Sequence, residues 1–312
     1  MKKTHILLLF LAVLAVAGCE KVLEIDPDPS KTGLVLNAVP SAGKPAFIYF
    51  ANTRFFLDTS NNQPIPGATL SLYVNGVPQT LDSIVRCRYH FSYLGNPGDT
   101  LEVRGTSPLG NVYAKTYIPL VPTISNISLL RDTGGYSLRY YNVDFNFQDH
   151  LGIDEYYNLY VSVRDSGARF NEWKQKLDTV DTVHSTYFAL RYNPEIADQA
   201  SYVNPLMGLL FTRNLFNDSD IDGRNYPVRM QILHLVDTTE VQPFKHEYTV
   251  TLESMTFARL RYLIDVSRQG SSSSFFSEQG QVRGNVDGAY GIFAGNAVSK
   301  FTFWPDTLST LP

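Results

Sequence analysis

The chain has 312 residues, 44% of them hydrophobic and 18% charged, a balance that folds around a core and excludes intrinsic disorder as the main state. Thirty acidic against 26 basic residues leave a net charge of -4, so no whole-molecule positive field draws a nucleic acid to it. Nineteen Tyr and 19 Phe against two Cys suit broad β surfaces better than helical bundles.

The N-terminus carries Lys2 and Lys3, then an apolar run from Ile6 to Ala17, then Gly18 and Cys19. Such a run covers roughly 18 Å as a helix, short of the ~30 Å hydrocarbon core, so it reads as a removable signal peptide rather than a membrane span. Val16-Ala17-Gly18-Cys19 resembles the bacterial lipobox, in which the cysteine thiol receives diacylglycerol, a further acyl chain such as palmitate follows, and cleavage falls ahead of Cys19. Anchoring in the outer membrane through these chains is the expectation, with the cell surface favoured over the periplasmic face. Removal of residues 1–18 takes two lysines and no acid, leaving 24 basic and 30 acidic residues, net -6. Residues 19–33 then form a lipidated N-terminus and tether containing Pro27 and Pro29.

Eleven of the 17 prolines lie between Pro27 and Pro122, a shift that predicts two domains, 34–120 and 121–312. The first reads as about seven short strands with a turn every ten residues or so, the pattern of an Ig-like or fibronectin III-like β-sandwich. Asn75-Gly76 between Leu70–Val74 and Val77 is its strongest hairpin signal, because both turn residues of a type I′ turn take φ > 0. Ile84 to Tyr93 alternates with period two and predicts one strand with Cys87 pointing inward as packing, the only thiol left beside Cys19.

In the second domain Tyr141, Val143, Phe145 and Phe147 alternate with polar neighbours, as do Tyr157, Leu159, Val161 and Val163. If these two strands pair, as their short connection suggests, Tyr140, Tyr156 and Tyr160 share an outer aromatic face able to bind a sugar, a flat ligand or a peptide. The alternative is that a helix or the other domain covers that face. Residues 256–268 switch to helical period, with Leu260, Leu263 and Ile264 on one side, Thr256 as N-cap and Gly270 as stop. The fold expected is therefore mainly β, two sandwiches with one helix covering a sheet of the second.

Motifs of nucleophilic catalysis, zinc proteases and phosphate-binding loops are absent. His234 and His246 fall in phase with apolar residues and read as satisfied inward histidines. One segment is sharper: Asp218-Ser219-Asp220-Ile221-Asp222-Gly223 places carboxylates at positions 1, 3 and 5 and Gly at 6, the first half of a calcium loop. Position 12 is Arg229 rather than Glu. An Asp/Gly-rich turn is the favoured reading, with structural Ca²⁺ held by Asp218, Asp220 and Asp222 the alternative; no other cofactor is expected.

Several segments together resemble a known family. Gly110-x-x-Tyr113-Ala114-x-Thr116-x-Ile118-Pro119, Phe216-x-Asp218-x-x-Ile221-Asp222-Gly223, the helix that follows Leu252, and Asn285-x-Asp287-Gly288-x-x-Gly291-Ile292-Phe293 are similar in order and spacing to the lipoproteins grouped as domain of unknown function 4249. Arg259 and Asp287 depart from the family pattern. The resemblance implies a Bacteroidetes lipoprotein, often encoded beside a TonB-dependent outer-membrane receptor, with no catalytic residue to carry over. The function expected is a non-enzymatic accessory or ligand-capture partner of such a transporter; the alternative is a structural or adhesive protein-binding module. A hydrolase has no motif behind it.

Overall fold

The computed structural model of the chain describes residues 32–54, 63–132, 138–191, 193–197, 213–235, 239–271 and 282–305. Val16, Ala17, Gly18, Cys19 and the tether up to residue 31 lie outside them. In chain order the strands are β1 (Leu34–Ala38), β2 (Pro45–Asn52), β3 (Thr69–Val74), β4 (Val77–Pro78), β5 (Leu81–Val85), β6 (Arg88–Leu94), β7 (Thr100–Ser107) and β8 (Gly110–Tyr117). There follow β9 (Thr123–Asp132), β10 (Leu138–Gln148), β11 (Tyr156–Asn171), β12 (Lys176–Ser185), β13 (Phe188–Leu190), the short helix α1 (Pro194–Ala197), β14 (Arg213–Asn217), β15 (Asn225–Leu235) and β16 (Glu240–Met255). Helix α2 (Phe257–Ser271), β17 (Tyr290–Phe293) and β18 (Asn296–Phe303) complete the described chain.

The protein is mainly β, and its strands form two sandwiches. In the first, the sheet β17-β1-β2-β6-β5 and the sheet β4-β3-β7-β8 share one core, to which Leu36, Ile48, Phe50 and Tyr89 contribute from one side and Leu72, Leu101, Val103 and Val112 from the other. In the second, β13-β15-β10-β9 faces β12-β11-β16-β18, with β14 paired to β11. Period-two alternation explains the second core: Tyr141, Val143, Phe145 and Phe147 meet Tyr157, Leu159, Val161 and Val163 across the gap between sheets. Phe147 and Tyr157 touch edge to face at 5.2 Å between centroids.

Asn75 and Gly76 do take φ of 50° and 82°, and the turn joins β3 to β4 with Val74 opposite Val77. The stretch Ile84 to Tyr93, by contrast, is not one strand. Arg86 and Cys87 both have positive φ, 47° and 64°, and turn the chain from β5 into β6. β5 is exposed along its whole length, whereas Cys87, Tyr89 and Phe91 are buried. Alternation therefore identified the inward side but not the turn, because neither residue at the turn is a Gly or Asn that would announce it. Burial raises the Cys87 pKa.

Helix α2 packs Leu260, Leu263 and Ile264 over Tyr156, Leu215 and Met255, on the outer face of the β11/β16 sheet. Thr256 precedes it and its carbonyl accepts the first helical N–H groups, from Arg259 and Leu260. The expected side-chain cap is not made: the Thr256 hydroxyl is buried and finds no hydrogen-bond partner. Helix α2 also runs past Gly270, the expected stop, to Ser271.

The chain does not divide cleanly at residue 120. After α2 it returns to the first sandwich, where β17 lies parallel to β1 with Asn37 opposite Ile292, and only then enters β18 of the second. The Asn285 side chain brackets this crossing, donating to the Phe293 carbonyl and accepting its N–H, both at 2.8 Å. Asn37 Oδ1 accepts the Ile292 N–H at 3.1 Å. Phe293 is buried in the first core, a contribution of about 2–3 kcal/mol. The approach is so close that a Cβ on Gly291, at φ 121°, would strike the Leu36 carbonyl oxygen, and one on Gly295 the Tyr117 carbonyl oxygen. Thr116 Oγ1 accepts the Gly295 N–H at 3.0 Å, Ser254 donates its hydroxyl to the Leu120 carbonyl, and Asp287 and Tyr113 exchange backbone hydrogen bonds.

Two outcomes follow from this packing. Gly291→Ala should lower stability by about 3 kcal/mol, because backbone rather than a flexible side chain blocks the new methyl. In thermal melting Gly43→Ala is the control, since its φ of 71° is strained but the space around it is open. Equal, small shifts for both would contradict the close-approach account. Secondly, Cys87 in the native chain should resist a thiol reagent that modifies it rapidly in denaturant.

Candidate functional site

The three tyrosines expected to form one platform are not together. β10 and β11 do not pair; they belong to opposing sheets of the second sandwich, β10 between β9 and β15 and β11 between β12 and β16. Residues with outward phase on the two strands therefore face away from each other, Tyr140 on one outer surface and Tyr156 and Tyr160 on the other. Tyr156 lies under α2, its ring 5.3 Å from that of Phe257. Tyr160 is half-buried beneath the Arg213 guanidinium, 5.5 Å from the ring centroid. The short β10–β11 connection turns from one sheet to the other instead of closing a hairpin.

That connection and the β14–β15 loop carry a set of acids. Asp149, Asp218 and Asp222 each offer an oxygen within 4.8 Å of the others. Of the three acids of the Asp218–Gly223 spacing, Asp218 and Asp222 belong to this set; Asp220 does not, and its side chain meets the neighbouring Ser219 hydroxyl at 3.5 Å. Asp149, 69 residues upstream of Asp218, takes its place. Each of the three side chains is held by a backbone N–H of the opposite loop: Asp149 by Gly223 at 2.7 Å, Asp218 by Glu155 at 2.7 Å, and Asp222 by Gly152 at 2.8 Å. Burial lifts the carboxyl pKa of both Asp149 and Asp218, and each is raised further by the charge of neighbouring acids.

The opposite end of the second sandwich opens into a cleft of about 360 Å³. The inward phase of β11 does not stop at Val163 but continues to Asp165, which lies opposite His246 in the β11–β16 ladder. His246 Nδ1 meets Asp165 Oδ1 at 2.8 Å and its Nε2 meets Glu240 Oε2 at 3.3 Å. Arg169 approaches Glu240 at 3.3 Å and Asp165 at 3.9 Å, and His184 reaches Asp165 at 3.9 Å. On the other sheet His234 pairs with the Tyr248 hydroxyl at 2.6 Å, and its ring stands 4.5 Å from that of His246. A slip in the β11–β16 register between Ser166 and Ala168 bends the strand at the rim. Val163, Tyr187 and Leu233 supply apolar wall.

Burial alone would lower the His246 pKa, but the Asp165 hydrogen bond and the Glu240 charge outweigh it and the value rises. Burial likewise pushes Asp165 up, and the hydrogen bond from His246 with its charge brings it down below the ordinary value. His246 thus bridges the two acids, one ring nitrogen toward Asp165 and the other toward Glu240. With both ring nitrogens engaged, His246 orients the cleft wall and does not present a lone pair to a metal. The inward phase of His234 and His246 was readable in the sequence; their meeting with Asp165, Glu240 and Arg169 was not. The continuation of alternation to Asp165 was the available signal.

A raised histidine pKa stabilises the fold below the ordinary imidazole value and the contribution is lost as pH rises through the folded value. Melting of the native chain should accordingly fall as pH rises above about 6.5, the ordinary imidazole value, more steeply than melting of His246→Gln. At pH 6 that variant should be less stable by about 3 kcal/mol, the lower end of the range for a broken buried pair because Arg169 still faces both acids. Parallel pH profiles for the two proteins would contradict the assignment.

Among the described residues no helix is long and apolar enough to cross a membrane. No curated protein matches the chain. Among solved structures, one from Corynebacterium diphtheriae, described as a membrane-anchored protein, shares 10% identity and a TM-score of 0.20 over 73% of this chain and 55% of that one. This chain thus spans about half the length of that protein. A family description matches residues 20–302, and its span takes in the β17 crossing, the acidic loops and the cleft alike. The chain therefore belongs to the family described as domain of unknown function 4249.

Proposed function

We propose that this protein is a lipid-anchored, non-enzymatic component of the outer membrane, most exposed at the cell surface, that captures a small ligand in the distal cleft and serves as accessory to a TonB-dependent transporter. The observation that carries the binding role is the cleft itself. It is a concave opening between two sheets, with charges of both signs fixed in a hydrogen-bonded frame beside apolar wall, which is the make-up of a recognition site. The ion pairs that hold Asp165, Glu240 and His246 in place favour orientation of a ligand over proton transfer to it. A volume near 360 Å³ suits a small polar molecule rather than a polymer. The signal peptide, lipobox and tether at the N-terminus support the anchored part of the reading, and the family resemblance supports the transporter. A tethered carrier near a pore raises local ligand concentration without any new contact.

A second reading, a protein-binding module, is favoured by one feature. The β11–β12 hairpin carries Trp173, 98% exposed, between Asn171 and Lys176. Rigid exposed aromatics of that kind often anchor protein interfaces.

Three measurements test these readings. Cys19→Ser should move the chain from the membrane fraction to the soluble one. Co-purification from detergent-solubilised outer membrane should recover a TonB-dependent receptor; recovery of a matrix or assembly component would select the second reading, and neither would overturn both. Native mass spectrometry should show a small molecule retained by the chain and lost from Leu233→Trp, which fills the cleft.

A further inference from the structure

Resting on the capture reading, we infer that the molecule held in the distal cleft is a small organic amine, bound as its ammonium with an N–H directed at Asp165 Oδ2 and its apolar body against Val163, Tyr187 and Leu233.

The charge of the lining decides the sign of the ligand. Two carboxylates line the cleft, Asp165 and Glu240, with side chains only 10% and 8% exposed, against one guanidinium, that of Arg169. With the imidazoles neutral, two negative charges against one positive leave an excess of one negative charge in a recessed opening. An anion would enter against that excess; a cation removes it.

One oxygen is left for the ligand. Asp165 Oδ1 is engaged by His246 Nδ1 at 2.8 Å. Asp165 Oδ2 has Arg169 Nη2 and His184 Nδ1 on either hand, both at 3.9 Å and so beyond hydrogen-bond distance, and among the described residues no donor stands closer to it. Arg169 is drawn away, its Nη2 lying 3.3 Å from Glu240 Oε1 and its guanidinium 5.4 Å over the Phe244 ring. Glu240 has both oxygens engaged, since its Oε2 faces His246 Nε2 at 3.3 Å. A largely desolvated carboxylate oxygen calls for an N–H donor, and the excess charge calls for a cation; an ammonium is both. The apolar wall formed by Val163, Tyr187 and Leu233 then selects an organic body on that ammonium.

The same arrangement makes binding compete with a proton. His246 is faced by Asp165 and Arg169 from β11, by Glu240 from its own strand, and by the His234 ring of β15 at 4.5 Å, whose Nδ1 meets the Tyr248 hydroxyl. His184 of β12 stands beyond Asp165, its side chain 54% exposed. Protonation of His246 cancels the excess negative charge that the amine would neutralise. Burial alone would lower the His246 pKa, and the Asp165 hydrogen bond with the Glu240 charge outweighs it and raises the value. Amine affinity should therefore rise with pH above about 6.5 and level off once that proton is lost. A proton on His184 acts in the same direction, so His246→Gln should reduce the slope without abolishing it.

The test uses the full chain in detergent and three probes with one body: 2-phenylethylamine, phenylacetate and 2-phenylethanol, each followed by isothermal titration. At pH 8 the amine should bind about tenfold or more tightly than either of the others. Asp165→Asn keeps an acceptor for His246 and removes the charge, so it should lose roughly tenfold of the amine affinity and leave that for the alcohol within about twofold. If this variant does not fold, the order of the three probes and the pH slope of the native chain decide. Preference for phenylacetate, equal binding of all three, or an amine affinity that falls as pH rises would overturn the assignment. Capture in the cleft would still stand if Leu233→Trp abolished that binding. Binding of none of the three would also overturn the amine assignment, and the capture reading would then rest on whether native mass spectrometry finds a retained molecule.

Discussion

The parallel pairing of β17 with β1 is the contact on which the rest of the described structure depends. It joins residues about 255 positions apart in the chain, and it does so at a distance that excludes side chains from the facing backbone. Gly291 and Gly295 make the approach possible, while Asn285 and Asn37 satisfy the backbone groups that the crossing would otherwise leave unpaired. The first sandwich thus borrows a strand from the end of the chain. Phe293 of its core is supplied by a strand that follows β9 to β16 of the second sandwich in the chain.

A second buried network supports the same junction. Glu253 on β16 accepts hydrogen bonds from Asn158 at 2.7 Å, Asn296 at 2.6 Å and Arg259 at 2.6 Å, linking β11, β18 and the first turn of α2. Arg259, which departs from the family pattern, is therefore the charge partner of a carboxylate only 2% exposed. Asp287, the other departure, engages Tyr113 through its backbone alone, so its side chain is free to vary without loss of that bridge. The motif residues that suggested the family fall at the β17 crossing, in the acidic loops and on helix α2 over the β11/β16 sheet. The crossing and the acidic loops lie toward the start of β9, and the mixed-charge cleft lies at the other end of the sandwich. Close backbone packing and buried hydrogen bonds meet where the sandwiches join, and the recessed opening is left at the far rim.

Several local features were legible in the residues. The Asn75-Gly76 turn follows from the φ each residue tolerates, the inward sides of β10 and β11 follow from alternation, and the buried face of α2 follows from the spacing of Leu260, Leu263 and Ile264. The failures have specific causes. Arg86 and Cys87 turn without turn-forming side chains, so a strand was read across them. Tyr140 was placed beside Tyr156 and Tyr160 because a short connection usually joins paired strands; here it crosses between sheets. Linear spacing groups Asp218, Asp220 and Asp222, whereas the folded loops bring Asp149, from 69 residues upstream, beside Asp218 and Asp222.

By itself the sequence determined which side of each strand is apolar and where the helix falls, since each of these depends on residues close together. Only the tertiary structure decided which strands share a sheet and which charged groups meet. A period of two specifies the face of a strand and carries no information about its partner. Asp165 and His246, 81 residues apart, and Asp149 and Gly223, 74 apart, become neighbours through ladder register and loop packing, so the cleft and the acidic cluster exist only in the folded chain.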